Sequence, residues 1–343
     1  MFGLMKQSTI TSVDNHDLRL LEQAAMVTEK LKEAVGKKIV GQHDVVDGLL
    51  TGLLANGHVL LVGVPGLAKT LLVSTLAKSL DLNFSRIQFT PDLMPTDITG
   101  TEVIEENKTT GERIFRFVKG PIFSNIVLAD EINRTPPKTQ AALLQAMQER
   151  EVTIAGQTYP LSLPFFVLAT QNPIEQEGTY PLPEAQLDRF MLQLQIGYPS
   201  NQEEEEIVMR TTGDDESTIT PILSSPELIE LQQLVRRIPA APSLVKFAVR
   251  LATSTRPTST DTTSIANKYI TWGAGPRASQ YLVLGAKARA AFRGAPIPSY
   301  EDVKAVAPAI LGHRLVLNFE AEVDGRTTES IIAEILEEAH KWT

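Results

Sequence analysis

Residues 58–75 read HVLLVGVPGLAKTLLVST, and the order of residue types in this stretch decides the fold. The stretch begins with a short apolar run, Val59 to Val62, of the kind that forms a parallel strand buried on both faces. A turn with two glycines and a proline follows, and then Lys69 and Thr70. Beyond them, apolar residues recur at helical spacing. The pattern therefore predicts a strand, a loop and a helix in succession.

Strand, glycine-bearing loop, Lys-Thr and helix form the layout of a phosphate-binding loop. The backbone N–H groups of such a loop and of the following helix N-terminus surround phosphate oxygens. Lys69 would bring a cation to the β- and γ-phosphates, and the Thr70 hydroxyl would bind Mg²⁺. The alternative is a Gly-Pro turn between an ordinary strand and helix. The predicted ATP-binding residues are Gly63, Val64, Pro65, Gly66, Leu67, Ala68, Lys69, Thr70 and Leu71.

Two further positions near the loop bear on nucleotide binding. Ala68 stands where glycine normally precedes the lysine. Its methyl group could crowd the phosphates if that residue needed a positive φ, and it is tolerable if φ is already helical. Upstream, an apolar segment often packs on the adenine in nucleotide-binding folds. Ile39, Val40 and Gly41 are the candidates, and ordinary core residues are the alternative.

Composition limits the classes of function. The chain has 343 residues, 43% hydrophobic and 21% charged, which suits a soluble two-domain protein. Its formal charge of −9 argues against broad nonspecific binding of nucleic acid. It has no cysteine, which excludes disulfides and thiolate metal sites. No apolar run approaches the ~20 residues of a membrane span, so we expect no membrane insertion. Because the N-terminus lacks a signal-peptide pattern, we expect a cytoplasmic location.

A second chemical motif follows the buried-strand run Ile126 to Ala129, which ends in Asp130 and Glu131. Ligands gather at the carboxyl ends of strands in a parallel sheet. Asp130 would hold Mg²⁺ through its water shell, because Mg²⁺ prefers oxygen ligands and keeps waters. Glu131 would polarise the attacking water. A solvated acidic pair is the alternative, but the phosphate-loop pattern upstream favours the catalytic interpretation.

Three more polar residues are candidates for phosphate contacts. Asn172 follows a third buried strand and could orient water or contact the γ-phosphate, although Asn-Pro also forms turns. Arg189 carries a bidentate head that suits phosphate. Its alternative is a surface salt bridge with Asp188 or Glu184. Arg277 lies in the first turn of a predicted helix, where it opposes the helix dipole unless a phosphate is nearby. The alternative for Arg277 is an ordinary surface residue.

The remaining pattern divides the chain into domains. Alternating segments predict β-hairpins at 98–118 and 151–161. The first is too polar at its tip for the core, so we expect a surface insertion. Lid helices are predicted at residues 226–238, 243–254, 276–292, 299–311 and 327–342. The predicted parts are a flexible N-terminus at 1–16, a nucleotide-binding domain at 17–210, a linker at 211–225 and a helical lid at 226–343.

Five motifs together resemble those of the MoxR family of AAA+ ATPases, in its helix-2-insert branch. They are GVPGLAKT at 63–70, VLADEINR at 127–134, ATQNP at 169–173, LPEAQLDRF at 182–190 and GPRA at 275–278. The resemblance runs from about residue 20 to the C-terminus, and alanine before the lysine is typical of the family. It implies an α/β fold: a Rossmann-like αβα P-loop domain with a parallel sheet, followed by a smaller all-helical lid.

The resemblance also implies a ring, usually a hexamer, with ATP and Mg²⁺ between neighbouring subunits. Related proteins act as chaperones that mature or activate partners. Those partners often carry a von Willebrand factor A domain, and some take up a metal cofactor. The implied roles are Lys69 and Thr70 for phosphate and Mg²⁺, Asp130 for Mg²⁺, Glu131 as catalytic base, Asn172 as γ-phosphate sensor, Arg189 as arginine finger to the neighbour's ATP, and Arg277 as lid sensor.

Three other functions compete with this one. A DNA-directed AAA+ motor is disfavoured by the net charge, by the lack of a helix-turn-helix or zinc module, and by a first hairpin without the polymerase-engaging GAFTGA loop. A magnesium- or cobalt-chelatase ATPase subunit has a similar fold and similar insertions, and the sequence separates it poorly. A scaffold that barely hydrolyses ATP is disfavoured because Glu131, Asn172, Arg189 and Arg277 are all present.

Overall fold

A computed structural model describes residues 15–106, 113–173, 178–213, 218–260 and 262–342. Its helices are α1 Asn15–Gly36, α2 His43–Leu54, α3 Lys69–Ser79, α4 Pro95–Thr99, α5 Pro137–Glu149, α6 Glu184–Leu187, α7 Asn201–Thr211, α8 Ser225–Arg237, α9 Pro242–Thr253, α10 Ser264–Tyr269, α11 Pro276–Phe292, α12 Tyr300–Leu311, α13 Phe319–Val323 and α14 Thr328–Ala339. Its strands are β1 Val59–Gly63, β2 Phe84–Gln88, β3 Gly100–Glu106, β4 Arg113–Lys119, β5 Ile126–Asp130, β6 Glu151–Ile154, β7 Gln157–Pro160, β8 Phe166–Gln171, β9 Leu192–Ile196, β10 Ile270–Trp272 and β11 Val316–Leu317.

Five strands of the described residues form the central sheet, in the order β2-β5-β8-β1-β9, and every pair is parallel. Successive residues of a strand point to opposite faces, so each inner strand supplies two hydrophobic cores. On β1, Val59 and Leu61 pack into one core and Leu60 into the other. Because helices cover both faces, these strands are almost continuously apolar.

Helices lie on both sides of this sheet. The core on one face contains residues of α1, α2, α3 and the lid helices, and the core on the other face contains residues of α5. The first helix packs against α3 and also against α8 and α11 of the lid. These layers confirm the predicted αβα sandwich with a parallel sheet, followed by a helical lid.

The strand order determines where chemistry can occur. Strands β5, β8 and β1 are adjacent and run in the same direction. Their carboxyl ends therefore bring Asp130, Asn172 and the loop after Gly63 to one edge of the sheet. Residues from three separate parts of the chain meet there.

The lid has features that the sequence analysis lacked. The five predicted lid helices correspond to α8, α9, α11, α12 and α14, with ends shifted by a few residues. The structure adds the short helices α10 and α13 and an antiparallel pair of strands, β10 and β11. These strands have three and two residues, too few to show an alternating pattern. In the first domain, β9 was also missed, although its sequence LQLQI alternates strictly.

Several predicted boundaries fall partly outside the described residues. The proposed flexible N-terminus, residues 1–16, lies outside them except for Asn15 and His16, which begin α1. The predicted hairpins are formed by β3 with β4 and by β6 with β7, and residues 107–112 of the first lie outside the description. The linker contains residues 214–217, which also lie outside it. The domain limits therefore stay predictions. No helix of the described residues is long and apolar enough to cross a membrane.

Candidate active site

The phosphate-loop pocket is a cavity of about 440 Å³ at the carboxyl edge of the sheet. It joins the loop and the start of α3 to the ends of β5 and β8. Its size is in the range of small-molecule sites. The described residues that line it are Pro65, Gly66, Leu67, Ala68, Lys69, Thr70, Leu71, Arg86, Asp130, Glu131 and Asn172.

The backbone of the loop differs from one sequence-based expectation. Gly66 has φ +85, and an added Cβ there would meet no atom within 4 Å, so glycine is required by conformation rather than by space. Ala68 caps α3 with φ 54 and ψ 21. This residue is therefore left-handed and not helical, and the condition under which alanine seemed tolerable is not met. The chain accepts an alanine at a position whose conformation favours glycine.

Lys69 is the first residue of α3, and its side chain turns back over the loop. Its Nζ donates a hydrogen bond of 2.6 Å to the Gly63 carbonyl. Burial lowers the pKa of Lys69, whereas the charges of Asp130 and Glu131 act to raise it. The ammonium therefore lies beside two carboxylates and one carbonyl oxygen, in a position to exchange the carbonyl for a phosphate oxygen.

Asp130 is held by partners on both neighbouring strands. Its Oδ1 accepts a hydrogen bond of 2.6 Å from the Thr170 hydroxyl on β8. Its Oδ2 accepts from the Arg86 guanidinium on β2, at 3.1 Å from Nε and 2.6 Å from Nη2. Charge-assisted bonds of this kind orient a carboxylate strongly. The Asp130 side chain is therefore fixed at the edge of the pocket.

Glu131 has an unusual backbone and two side-chain donors. Its φ of 59 is left-handed, which is rare for a residue with a side chain and occurs often at functional sites. Its backbone N–H donates to the Thr170 hydroxyl at 2.8 Å. Its Oε2 accepts from Gln88 Nε2 and from Arg134 Nη1, each at 2.9 Å. Thr170 thus orders both carboxylate residues of the motif.

Some predicted nucleotide contacts lie beside the pocket and do not line it. Gly63 packs against β9, where an added Cβ would be 2.6 Å from the Ile196 carbonyl oxygen. Gly41 has φ +66 and lies against α7, where an added Cβ would collide with Glu203 Oε1. Ile39 is buried in the core shared by α1, α2 and the lid. Val64 and Val40 are also not among the lining residues described for the pocket.

A second cavity, the arginine pocket, is defined by the four arginines that line it: Arg150, Arg189, Arg236 and Arg277. Its volume is about 420 Å³, and His58 and Tyr281 also line it. Among the described residues, neither Arg189 nor Arg277 lines the phosphate-loop pocket. The structure therefore brings Lys69, Thr70, Asp130, Glu131 and Asn172 together and places the two predicted arginines elsewhere.

The Arg189 side chain does not form the salt bridge of its alternative interpretation among the described residues, whereas the Arg277 side chain, 41% exposed, forms an ion pair. Arg189 forms no ion pair with Asp188 or Glu184 in the described residues, and its Nη1 donates to the Leu144 carbonyl at 2.6 Å. Arg277 is half-buried, and its Nη1 donates to Asp188 Oδ2 at 2.9 Å. The same carboxylate accepts from Arg314 Nε at 2.8 Å through its other oxygen. Two lid arginines therefore hold the residue next to Arg189.

Comparison with known proteins agrees with this geometry. Residues 58–192 match the ATPase family associated with various cellular activities (AAA), and residues 262–335 match the AAA lid domain. The chain is 46% identical to the chaperone MoxR1 of Mycobacterium tuberculosis over 88% of this chain and 79% of that protein. The chain belongs to the MoxR family of AAA+ ATPases. It is therefore an ATP-hydrolysing enzyme, in keeping with the phosphate-loop pocket.

Other proteins are also similar to this chain along most of their length. The uncharacterised protein YeaC of Bacillus subtilis is 44% identical, over 90% of this chain and 92% of that protein. Protein MoxR of Methylorubrum extorquens is 28% identical, over 84% of this chain and 87% of that protein. The crystal structure of a candidate ATPase from Cytophaga hutchinsonii has a TM-score of 0.84 and 44% identity, covering 93% of this chain and 96% of that chain.

The pocket has the oxygen donors that Mg²⁺ requires. Thr70 and Asp130 both line it. No group of three or more His, Cys, Asp or Glu side chains suited to a metal occurs in the described residues. This pattern fits Mg²⁺, which is commonly held by one or two protein oxygens together with nucleotide phosphates and waters.

Sequence reasoning missed several residues that complete the site. Arg86 and Gln88 alternate with Ile87 on β2, and this alternation is typical of a strand but does not identify the partners of its polar face. Thr170 lies two residues before Asn172, near the end of the buried strand β8, and a polar residue at that position was the only indication of its role. Arg150 and Arg236 lie far apart in the sequence, and no spacing joins them to Arg189.

Proposed function

We propose that the chain forms a ring in which each ATP lies between two subunits. One subunit supplies the phosphate-loop pocket, and the next supplies the arginine pocket. The observation that carries this proposal is that Arg189 and Arg277 line a cavity separate from the phosphate loop. Arginines that serve phosphoryl transfer must reach the phosphates, so their separation favours nucleotide held by a second copy. A hexamer, which the resemblance to the MoxR family implies, is the expected size.

Within the phosphate-loop pocket, each residue has a separate proposed role. The α3 N-terminus and Lys69 bind the phosphates. Glu131 accepts a proton from a water that attacks the γ-phosphorus, as the bond from that phosphorus to the oxygen of the ADP leaving group breaks. Asn172, 5% exposed at the end of β8, orients that water or the γ-phosphate. Thr70 and Asp130 would hold Mg²⁺, which neutralises developing charge on the phosphates when bound.

The adenine subsite is proposed at the segment 39–41 and Gln42. Gln42 is left-handed, and its Nε2 donates to the Leu67 carbonyl at 3.5 Å, which ties this segment to the loop. Its buried Oε1 has no hydrogen-bond partner among the described residues. A buried acceptor without a partner is costly, and an adenine amino group would satisfy it.

The work of the ring is proposed to be the remodelling, maturation or activation of protein partners. A relative carries the name chaperone. The first hairpin offers a contact surface, because Ile104 and Phe115 face each other across β3 and β4 and are 59% and 69% exposed. Partners with a von Willebrand factor A domain, and assistance in metal-cofactor insertion, are the finer proposals. The cytoplasmic location stays a prediction.

The test measures ATPase rate against protein concentration, with oligomer mass followed by light scattering in ATP and Mg²⁺. Specific activity should rise as rings form. A monomer that hydrolyses ATP at the full rate would contradict the shared site. Crosslinking with Glu131→Gln, which should keep ATP bound, would then be used to capture clients.

A further inference from the structure

The arginine pocket contains two arginines to which the proposed mechanism gives no role. Arg150 caps the end of α5 with φ 57, and Arg236 lies in the last turn of α8. They join Arg189 and Arg277, which come from two other parts of the chain. A cavity lined by arginines from four separate elements requires the fold to hold like charges together. That arrangement occurs in a chain whose formal charge is −9.

The charges of these two arginines are not neutralised within the described residues. There, neither the Arg150 nor the Arg236 side chain forms an ion pair with a carboxylate, and Asp188 is engaged by Arg277 and Arg314. Burial and the charge of Arg236 lower the pKa of Arg150. Lys287 adds a further cation, because its Nζ donates to the Arg236 carbonyl at 3.2 Å. Arg150 is half-buried and Arg236 is exposed, so an anion would stabilise mainly the Arg150 charge.

The other lining groups do not supply that anion. Val167 N–H donates to His58 Nδ1 at 3.0 Å, so the ring proton lies on Nε2, which donates to the Met147 carbonyl at 3.1 Å. Burial lowers the pKa of His58 to about 4, so the ring is neutral at pH 7. Burial raises the pKa of Tyr281, which keeps the phenol neutral as well. The described lining of the pocket therefore supplies no anion to these arginines.

Guanidinium groups favour phosphate because their planar fork matches its oxygens in a bidentate way. We infer that Arg150 and Arg236 bind the terminal phosphates of the ATP held in the phosphate-loop pocket of an adjacent copy, together with Arg189 and Arg277. This inference rests on the proposed ring and extends it from two contributed arginines to four. The occupant is a triphosphate whose other end is held by the loop around Lys69 of the second copy.

Arg150 also lies where phosphate binding can affect the second hairpin. It is the residue between α5 and β6, and its carbonyl accepts a hydrogen bond of 2.9 Å from Leu161 N–H. This bond closes the base of the second hairpin. A phosphate bound by the Arg150 side chain would thus act directly on the residue from which the hairpin extends.

The experiment uses full-length chains in mixed rings. Acceptor subunits carry Arg189→Ala, which leaves their phosphate loop intact. Donor subunits carry Lys69→Ala, so they contribute arginines but bind no nucleotide of their own. Mixing should restore ATPase activity. Donors that also carry Arg150→Gln or Arg236→Gln should restore roughly 10- to 100-fold less, since a charged hydrogen bond is worth about 1.5–3 kcal/mol. Acceptors that carry Arg150→Gln should still be rescued by the simple donor.

Controls separate the possible failures. Arg19→Gln in the donor removes one exposed charge from α1 and should leave the rescue unchanged. Ring mass and thermal unfolding are measured for each donor, and Arg150→Lys should restore only part of the activity, because an ammonium lacks the fork. If the simple mixture shows no rescue, the shared site itself fails. If it shows rescue that Arg150→Gln and Arg236→Gln do not change, only the present inference fails.

A direct binding measurement tests whether the arginine pocket binds a free polyphosphate instead of the ATP of an adjacent copy. Inorganic tripolyphosphate is titrated into the Lys69→Ala chain, with Arg150→Gln added as comparison. We expect no saturable binding at concentrations where ATP saturates the rings. Tight tripolyphosphate binding that Arg150→Gln abolishes would overturn the inference, because the pocket would then be an anion site independent of a neighbour's nucleotide.

Discussion

The phosphate-loop pocket and the arginine pocket are similar in volume but differ in how they are built. The first combines a loop with the carboxyl ends of adjacent strands, and its carboxylates are held by neighbouring strands. The second collects four arginines from separate helices and loops, two of them without a carboxylate partner in the described part of the chain. The first pocket contains Lys69, and the two arginines proposed to act in hydrolysis line the second. In the proposed ring, each pocket supplies one half of the nucleotide site.

The largest expected effect distinguishes binding from chemistry within the phosphate-loop pocket. Lys69→Ala should abolish ATP binding, because Lys69 is the pocket's mobile cation and Arg86 is engaged with Asp130. Glu131→Gln should keep ATP bound but lower kcat by roughly 10²- to 10⁴-fold, since an amide accepts no proton. ATP affinity and single-turnover hydrolysis measure the two effects. Normal turnover of Glu131→Gln would remove the role assigned to that residue.

The second prediction concerns Arg314, which lies outside the arginine pocket but contacts the residues on either side of Arg189. Arg314 donates to Asp188 Oδ1 and, through Nη2, to the Phe190 carbonyl at 2.7 Å, so it holds both neighbours of Arg189. Arg314→Gln should destabilise the protein by roughly 1.5–3 kcal/mol, the value of a charged hydrogen bond, because Asp188 is one-third exposed and keeps its bond to Arg277. It should also lower kcat by roughly 100-fold by misplacing Arg189.

The matched control is Lys268→Gln, which removes an exposed lid cation paired with Asp324 at 3.0 Å. An exposed pair contributes at most about 1 kcal/mol, and its loss should leave kcat unchanged. Urea unfolding and ATPase assays of both variants make the comparison. Full activity of Arg314→Gln in rings that still assemble would show that Arg189 does not depend on this contact.

The third prediction concerns the pH dependence of stability and His58, which lines the arginine pocket. His58 is buried with a pKa of about 4, against 6.5 for an exposed histidine. The unfolded chain therefore binds a proton that the folded chain does not, and stability falls as pH decreases from 6.5 towards 4. The resulting loss in the free energy of unfolding amounts to about 3 kcal/mol. The free energy of unfolding of His58→Gln should lose that part of the pH dependence, and an unchanged slope relative to the natural chain would contradict it.

The smallest expected effect tests the backbone of the phosphate loop. Ala68 has φ 54, which costs a residue with a side chain about 1–2 kcal/mol. Ala68→Gly relieves that cost but loses more chain entropy on folding, so it should stabilise by at most about 1 kcal/mol. Ala68→Val should destabilise and weaken ATP binding, because a branched side chain is poorly accommodated at positive φ. Equal stability of the two variants would contradict the backbone argument.

The two pockets also show what sequence can predict. The phosphate-loop pocket follows contiguous motifs, so residue type and order predicted that Lys69, Thr70, Asp130 and Glu131 would lie together, as they do. The positive φ of Ala68 was not predicted, because it depends on how the loop closes onto α3. The arginine pocket could not be predicted as a unit. Arg150, Arg189, Arg236 and Arg277 meet only through helix packing, and no local pattern encodes which helices become neighbours.

The carboxylate of Asp188 has a consequence for the ring as a whole. It is bound by two lid arginines while the next residue, Arg189, is proposed to serve another subunit's nucleotide. A lid that tilts when its own subunit gains or loses ATP would therefore pull on a side chain that acts one position further along. In the proposed ring, a movement of the lid in one subunit would then reach the nucleotide of the neighbouring subunit through this one acidic side chain.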